Sequence, residues 1–154
     1  MAECRYPVQG SRQKCDVVIT LPQDVAGGGG GGKLWLEVKG AWKQWWLERG
    51  GEHIYRSYLL HPLVPGLDKS KTHTAALDLQ KLKAITPEHG TLIGLLLIGF
   101  DGANPMQPDV DEFVRLARLD QPPWESWQDC WPDERRSGQF IRTWLWIKPV
   151  DPPT

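Results

Sequence analysis

Asp16, Glu37 and Lys39 are the residues of this chain whose types and spacing could do chemistry. Glu37 and Lys39 stand two apart in KLWLEVK, which alternates Leu34, Leu36 and Val38 with Trp35, Glu37 and Lys39. Residues two apart on an extended strand share a face, so this carboxylate and this ammonium project together, from either a functional or a wetted face. Asp16 interrupts a second apolar, β-branched run, CDVVITL. Antiparallel pairing of the two runs would set Asp16 against Glu37. Two carboxylates ~4 Å apart repel by roughly 4 kcal/mol at an effective dielectric near 20. A divalent cation is the natural compensation, and hard oxygen donors with open positions suit Mg²⁺, with Mn²⁺ as a substitute. Such an ion polarises a phosphodiester and lowers the pKa of a bound water. Lys39 beside it would neutralise charge that develops in the transition state, because neighbouring carboxylates favour its protonated form over a basic one. The competing reading is a solvated strand face with no chemistry at all.

The elements that must position these groups follow from periodicity. Residues 15–21 and 33–39 read as strands, joined by a Pro22–Gly32 loop that holds six consecutive glycines. The stretch 40–67, with Trp42, Trp45, Trp46 and a Gly50-Gly51 break, gives no clear element. From Thr72 to Ile85 the pattern is helical, with Ala75, Leu79, Leu82 and Ile85 on one face and Asp78, Gln80 and Lys81 elsewhere. TLIGLLLIGF, residues 91–100, reads as a central strand covered on both faces. A second helix is expected near Asp109, where Asp109 and Glu112 have capping-box spacing. Residues 120–138 read as an irregular excursion, and QFIRTWLWIK, residues 139–148, as a last strand. Strand, strand, helix, strand, helix, strand makes one α/β domain.

Other motifs are weaker. Gly27, four residues, Gly32 and Lys33 match the opening of a P-loop, G-x4-G-K. Leu34 stands where Ser or Thr should hold magnesium, and a strand pattern follows where a helix should. Three scattered cysteines (Cys4, Cys15, Cys130) suggest a reducing interior, and His53, His61, His73 and His89 lack ligand spacing. The N-terminal residues show no signal-peptide h-region, and the apolar run 92–100 is too short to span a bilayer. A cytoplasmic protein with no membrane partner is expected. Net charge is −1 over 154 residues, so nucleic-acid binding must rest on local patches.

Asp16 in CDVVI, Glu37-Val38-Lys39 in LWLEVKGAW, the helix TAALDLQKLK and the strand TLIGLLLIGFD together resemble the PD-(D/E)XK nuclease superfamily. The resemblance covers about residues 12–101, leaving a Trp- and Pro-rich extension over about 102–154. It implies a restriction-endonuclease-like mixed central sheet flanked by helices, and a metal-dependent nuclease acting on nucleic acid, DNA first. By resemblance Asp16 and Glu37 are metal ligands, the Val38 carbonyl adds a third, and Lys39 is the catalytic lysine. Gln80 or Lys81 would supply the polar residue that some branches place on the following helix. Cys15 precedes Asp16 where the motif's name has proline. Such folds also open with a helix packed on the sheet, and only fifteen residues precede Asp16, so that helix is expected to be missing or truncated. A missing layer predicts a homodimer or a partner subunit that supplies it.

Nine tryptophans are many for this length. Trp42, Trp45 and Trp46 could stack on bases, whereas core or interface filling is the commoner use of tryptophan. Trp124, Trp127 and Trp131 fall in the irregular excursion, and Trp144 and Trp146 share a strand face. Arg12, Lys14, Lys69, Lys71, Arg135 and Arg136 are candidate phosphate contacts, and the acid-rich stretch 101–112 is expected to face away from a polynucleotide. Two further functions remain beside the nuclease. One is a catalytically silent interaction module on the same fold; the other is a nucleotide-binding P-loop protein using Lys33.

Overall fold

CDVVITL and KLWLEVK form the antiparallel pair that their patterns predict. The computed structural model describes residues 15–22, 32–42, 74–85, 91–102 and 105–149. In it β1 is Val17–Thr20 and β2 is Lys33–Trp42, with Val17 opposite Leu36 and Thr20 opposite Lys33. The rest of the order is α1 (Ala75–Lys83), β3 (Thr91–Asp101), α2 (Gln107–Ala117), β4 (Glu125–Pro132) and β5 (Phe140–Pro149). The strands make one mixed five-stranded sheet in the order β1-β2-β3-β5-β4. β2 and β3 run parallel, and β5 runs antiparallel to β3 and to β4. The architecture is α/β, as expected from sequence.

Register decides which side chains share a face. Glu37 lies beside Leu95 and Leu95 beside Trp146, while Lys39 lies beside Leu97 and Leu97 beside Trp144. This face carries both helices. Lys39 pairs with Asp78 of α1, and Phe113 of α2 meets Trp146 edge-on at 6.0 Å between ring centroids. Leu95, Leu97, Leu82 and Phe113 are completely buried in the resulting core, each leucine contributing about 1.5–3 kcal/mol by leaving water. Gly99 lies under the same layer, where a Cβ would come within 2.7 Å of the Trp144 ring.

The opposite face is different. Leu92, Leu96, Ile98 and Phe100 on β3, and Ile141, Leu145 and Ile147 on β5, are only half-buried, and no described helix packs on them. The central strand is therefore fully covered on one face, not two.

Three other expectations need correction. Residues 120–138 include a strand: β4 pairs along its length with β5. It escaped notice because an edge strand buries neither face, and every residue from Glu125 to Pro132 is exposed, so no apolar alternation marks it. The second helix starts at Gln107, with no side-chain cap at Met106. Its entry is fixed from outside the helix: the Met106 amide donates to Asp101 Oδ2 at 2.7 Å. Asp101 also takes Arg142 Nε on both oxygens, at 3.0 and 2.9 Å. Asp101 and Asp109 are thus interior, not part of an acidic surface. Lys33 opens a strand, as its pattern predicts, and not the helix whose first amides would cradle phosphate in a P-loop.

Candidate functional site

Asp16 immediately precedes β1, and one further step of the β1–β2 register sets it opposite Glu37. The side chain reaches across to β2, where Asp16 Oδ2 accepts the Val38 amide at 2.9 Å. Val38 therefore enters the site through its N–H as an anchor for Asp16. Cys15 packs behind this junction, its Sγ 3.3 Å from the carbonyl oxygens of Val17 and Leu36. A small buried thiol fits there.

The Trp35/Glu37/Lys39 face of β2 is not the wetted one. It is the face beneath α1, and Glu37 is only 3% exposed. A carboxylate so deeply buried carries a large desolvation cost unless charged or hydrogen-bonding groups surround it. Asp16, by contrast, is exposed to solvent. One acid of the pair is thus fixed in the interior and the other opens to water.

The third acid of the cluster is Asp78, which sequence reasoning placed away from the packed face. In α1 it lies on the buried side with Ala75, Leu79 and Leu82, itself 2% exposed. Its position is legible in hindsight: 75, 78, 79 and 82 follow the i, i+3, i+4, i+7 stripe of an amphipathic helix, and a charge on that stripe needs a partner. It has two. Lys81 Nζ donates to Asp78 Oδ1 at 2.6 Å, and Lys39 Nζ lies 2.7 Å from Oδ2. The second contact is an ion pair without hydrogen-bond alignment, which leaves Oδ2 buried with no directed donor. Thr74 caps the helix start, its hydroxyl accepting the Leu77 amide at 3.2 Å, and so fixes the turn that carries Asp78.

Lys81 reports how close these groups are. Burial opposes its charge, but the hydrogen bond it donates to Asp78 and the charges of Asp78, Glu37 and Asp16 hold its ammonium above the ordinary lysine pKa. Three carboxylates (Asp16, Glu37, Asp78) and two ammoniums (Lys39, Lys81) thus share one electrostatic cluster. Gln80 is exposed, whereas Lys81 is half-buried and bonded to Asp78.

Among the described residues no set of three His, Cys, Asp or Glu side chains is arranged to hold a metal ion. What the cluster offers is a pair of carboxylates, one open to water, with cations behind them. Trp45, Trp46, Arg12, Lys14, Lys69 and Lys71 lie outside the described residues, as do the four histidines. Arg135 and Arg136 sit exposed in the β4–β5 connection. They rim a depression of about 490 Å³ with Phe100, Trp131 and Ile141, on the sheet face opposite the carboxylates. No described helix is long and apolar enough to cross a membrane. No protein-family model, curated protein or solved structure matches this chain.

Proposed function

We propose that this chain is a metal-dependent nuclease of the restriction-endonuclease-like type, hydrolysing phosphodiester bonds in nucleic acid, DNA first. The observation that supports the reading is a β1–β2 register that, continued by one step, sets Asp16 opposite Glu37, with Lys39 and Lys81 both paired to Asp78 close enough for Lys81 to feel the two acids. The donor types suit magnesium: hard carboxylate oxygens, those of Asp16 solvent-facing. Asp16 and Glu37 would hold the ion, with the Val38 carbonyl as the third donor expected from the resemblance. When bound, it supplies polarisation of the phosphate and a more acidic water.

The chain's own residues set the rest. The Val38 amide fixes the Asp16 carboxylate, so one oxygen is occupied and the other is oriented. Glu37, buried, cannot swing into solvent. Lys39 and Lys81, both paired to Asp78, would place positive charge where a pentacovalent phosphorane gathers negative charge. Asp78 holds both ammoniums on one carboxylate and so sets their positions before substrate arrives.

Incubation with supercoiled plasmid and Mg²⁺ or Mn²⁺ tests the proposal. We expect nicking that Asp16→Asn and Lys39→Ala each reduce by about 10²-fold or more. No cleavage with either metal, or cleavage indifferent to both substitutions, overturns it.

The half-exposed apolar sheet face favours a second reading, a catalytically silent interaction module with the same fold. Calorimetry separates the two: the nuclease takes up Mg²⁺ and loses that uptake in Asp16→Asn, whereas the module takes up none.

A further inference from the structure

The topology brings three basic residues to one end of the helical layer. β2 and β3 are parallel, so α1, which connects them, runs back against them and ends beside the start of β3. α2 begins at the far end of β3, where Met106 binds Asp101, and so also finishes near the start of β3. β5, antiparallel to β3, ends there as well, with Lys148 opposite Ile93. Lys83 in the last turn of α1, Arg118 at the end of α2 and Lys148 near the end of β5 therefore converge.

These residues behave as a cluster rather than as separate surface charges. Burial first, and then the charges of Lys148 and Arg118, lower the ammonium pKa of Lys83. No carboxylate among the described residues forms an ion pair with any of the three. Lys83 and Arg118 are exposed and Lys148 is half-buried, so a ligand can reach them. The Lys148 ammonium lies 5.5 Å over the Trp124 ring, a cation–π contact that fixes its position. The carbonyl ends of the two helices favour cations nearby, which explains how repelling charges can gather here. It leaves their excess positive charge available to an anion.

We propose that Lys83, Arg118 and Lys148 form a phosphate-contacting patch that seats the backbone of a nucleic acid strand leading to the Asp16–Glu37 site. The patch lies on the helix-covered side of the sheet, as that site does. Lys83 follows Lys81 by two residues, about 3 Å along the helix axis. Lys148 stands in the same cross-sheet row as Trp35, one alternation from the Glu37 row. A chain whose net charge is −1 has no global attraction for a polyanion, so its binding must come from a local surface of this kind. The inference rests on the nuclease reading for the strand's destination and on the three cations alone for its contact.

Fluorescence anisotropy on a labelled short DNA duplex and on its single strand, in EDTA and over a salt series, tests the patch without cleavage. Each phosphate contact adds about 0.9 to the slope of log affinity against log salt on duplex and about 0.7 on single strand. The K83Q/R118Q/K148Q protein should therefore lose about 2–3 from the wild-type slope on duplex, or about 2 on single strand. If that protein melts early, K148Q alone should lose about 0.9 on duplex. R135Q/R136Q, on the other side of the sheet, should leave the slope unchanged. An unchanged slope in the triple variant, an equal loss in R135Q/R136Q, or binding to anionic phosphatidylserine vesicles but to neither oligonucleotide overturns the patch. Plasmid nicking, measured separately, keeps the two proposals apart. Nicking with an unchanged salt slope removes the patch and leaves the nuclease; a reduced slope without nicking does the reverse.

Discussion

Replacing Asp78 by asparagine keeps the side chain's shape and removes the charge that two lysines share. Lys81 and Lys39 lie 2.6 and 2.7 Å from its two oxygens. Removing one partner of a fully buried ion pair costs about 3–5 kcal/mol, because the other charge is left uncompensated, whereas an exposed pair contributes at most about 1 kcal/mol. Here the carboxylate side chain is 3% exposed, Lys39 15% and Lys81 28%. Solvent therefore screens the lysines in part, and an intermediate loss of about 2 kcal/mol is expected. For a chain of this size that corresponds to a melting temperature lowered by roughly 4–8 °C. Urea unfolding followed by tryptophan fluorescence measures the loss directly. A cycle combining Asp78→Asn with Lys39→Gln should return a coupling of about 1 kcal/mol. An asparagine protein as stable as the parent, with zero coupling, would refute the reasoning. Burying the Asp78 carboxylate would then cost as much as its two ion pairs return.

Two further outcomes follow from burial and charge. Leu95→Ala removes a fully buried side chain from the covered face and should cost about 2–5 kcal/mol. Leu96→Ala, its half-buried neighbour on the other face, should cost distinctly less in the same urea titration; equal losses would show that both faces are packed alike. The two shifted lysines predict opposite signs above neutral pH. Lys81 has a raised folded pKa, so its contribution is complete below the unfolded value of about 10.4 and is lost as pH rises through the higher folded one. Lys83 has a lowered folded pKa, so its charge destabilises the fold at neutral pH and is relieved as pH rises through that lower value. Urea midpoints across the alkaline range should show Lys81→Met removing part of the high-pH loss and Lys83→Met removing part of the preceding gain. The same alkaline profile in all three proteins would contradict both assignments.

The parts of the fold that sequence made legible are those where one physical preference dominates. β1 is a β-branched apolar run, β2 carries apolar alternation and β3 is a continuous apolar run, so each is readable from its own residues. Lys39 and Lys81 were named as candidates, and both contact the same carboxylate. The errors share a cause: a polar residue was taken as a sign of solvent. Trp35, Glu37 and Lys39 were read as facing water or substrate, yet this strand face lies beneath α1. Asp78, expected off the packed face, sits on the helix's buried stripe. Sequence gives the period of a pattern but not which side is covered; here paired charges, not apolar side chains alone, join α1 to the sheet. β4 was hidden for the opposite reason, since a strand exposed on both faces has no pattern to read. Asp101 was unreadable because its partners, Met106 and Arg142, come together only once β3 and β5 pair.

β4 has a consequence for how the chain behaves in a crowd. It ends the sheet, pairs with β5 alone among the described strands, and presents Trp127 and Trp131 at 52% and 42% exposure. A sheet margin with large apolar side chains is a template on which another extended chain can add itself. Three of its eight residues work against that: Glu125 and Asp129 bring charge to the margin, and Pro132 lacks an amide to donate. Colloidal stability is thus concentrated in a handful of edge positions. A substitution that neutralised the acids would leave the fold and the carboxylate site unaltered while making the protein prone to self-association.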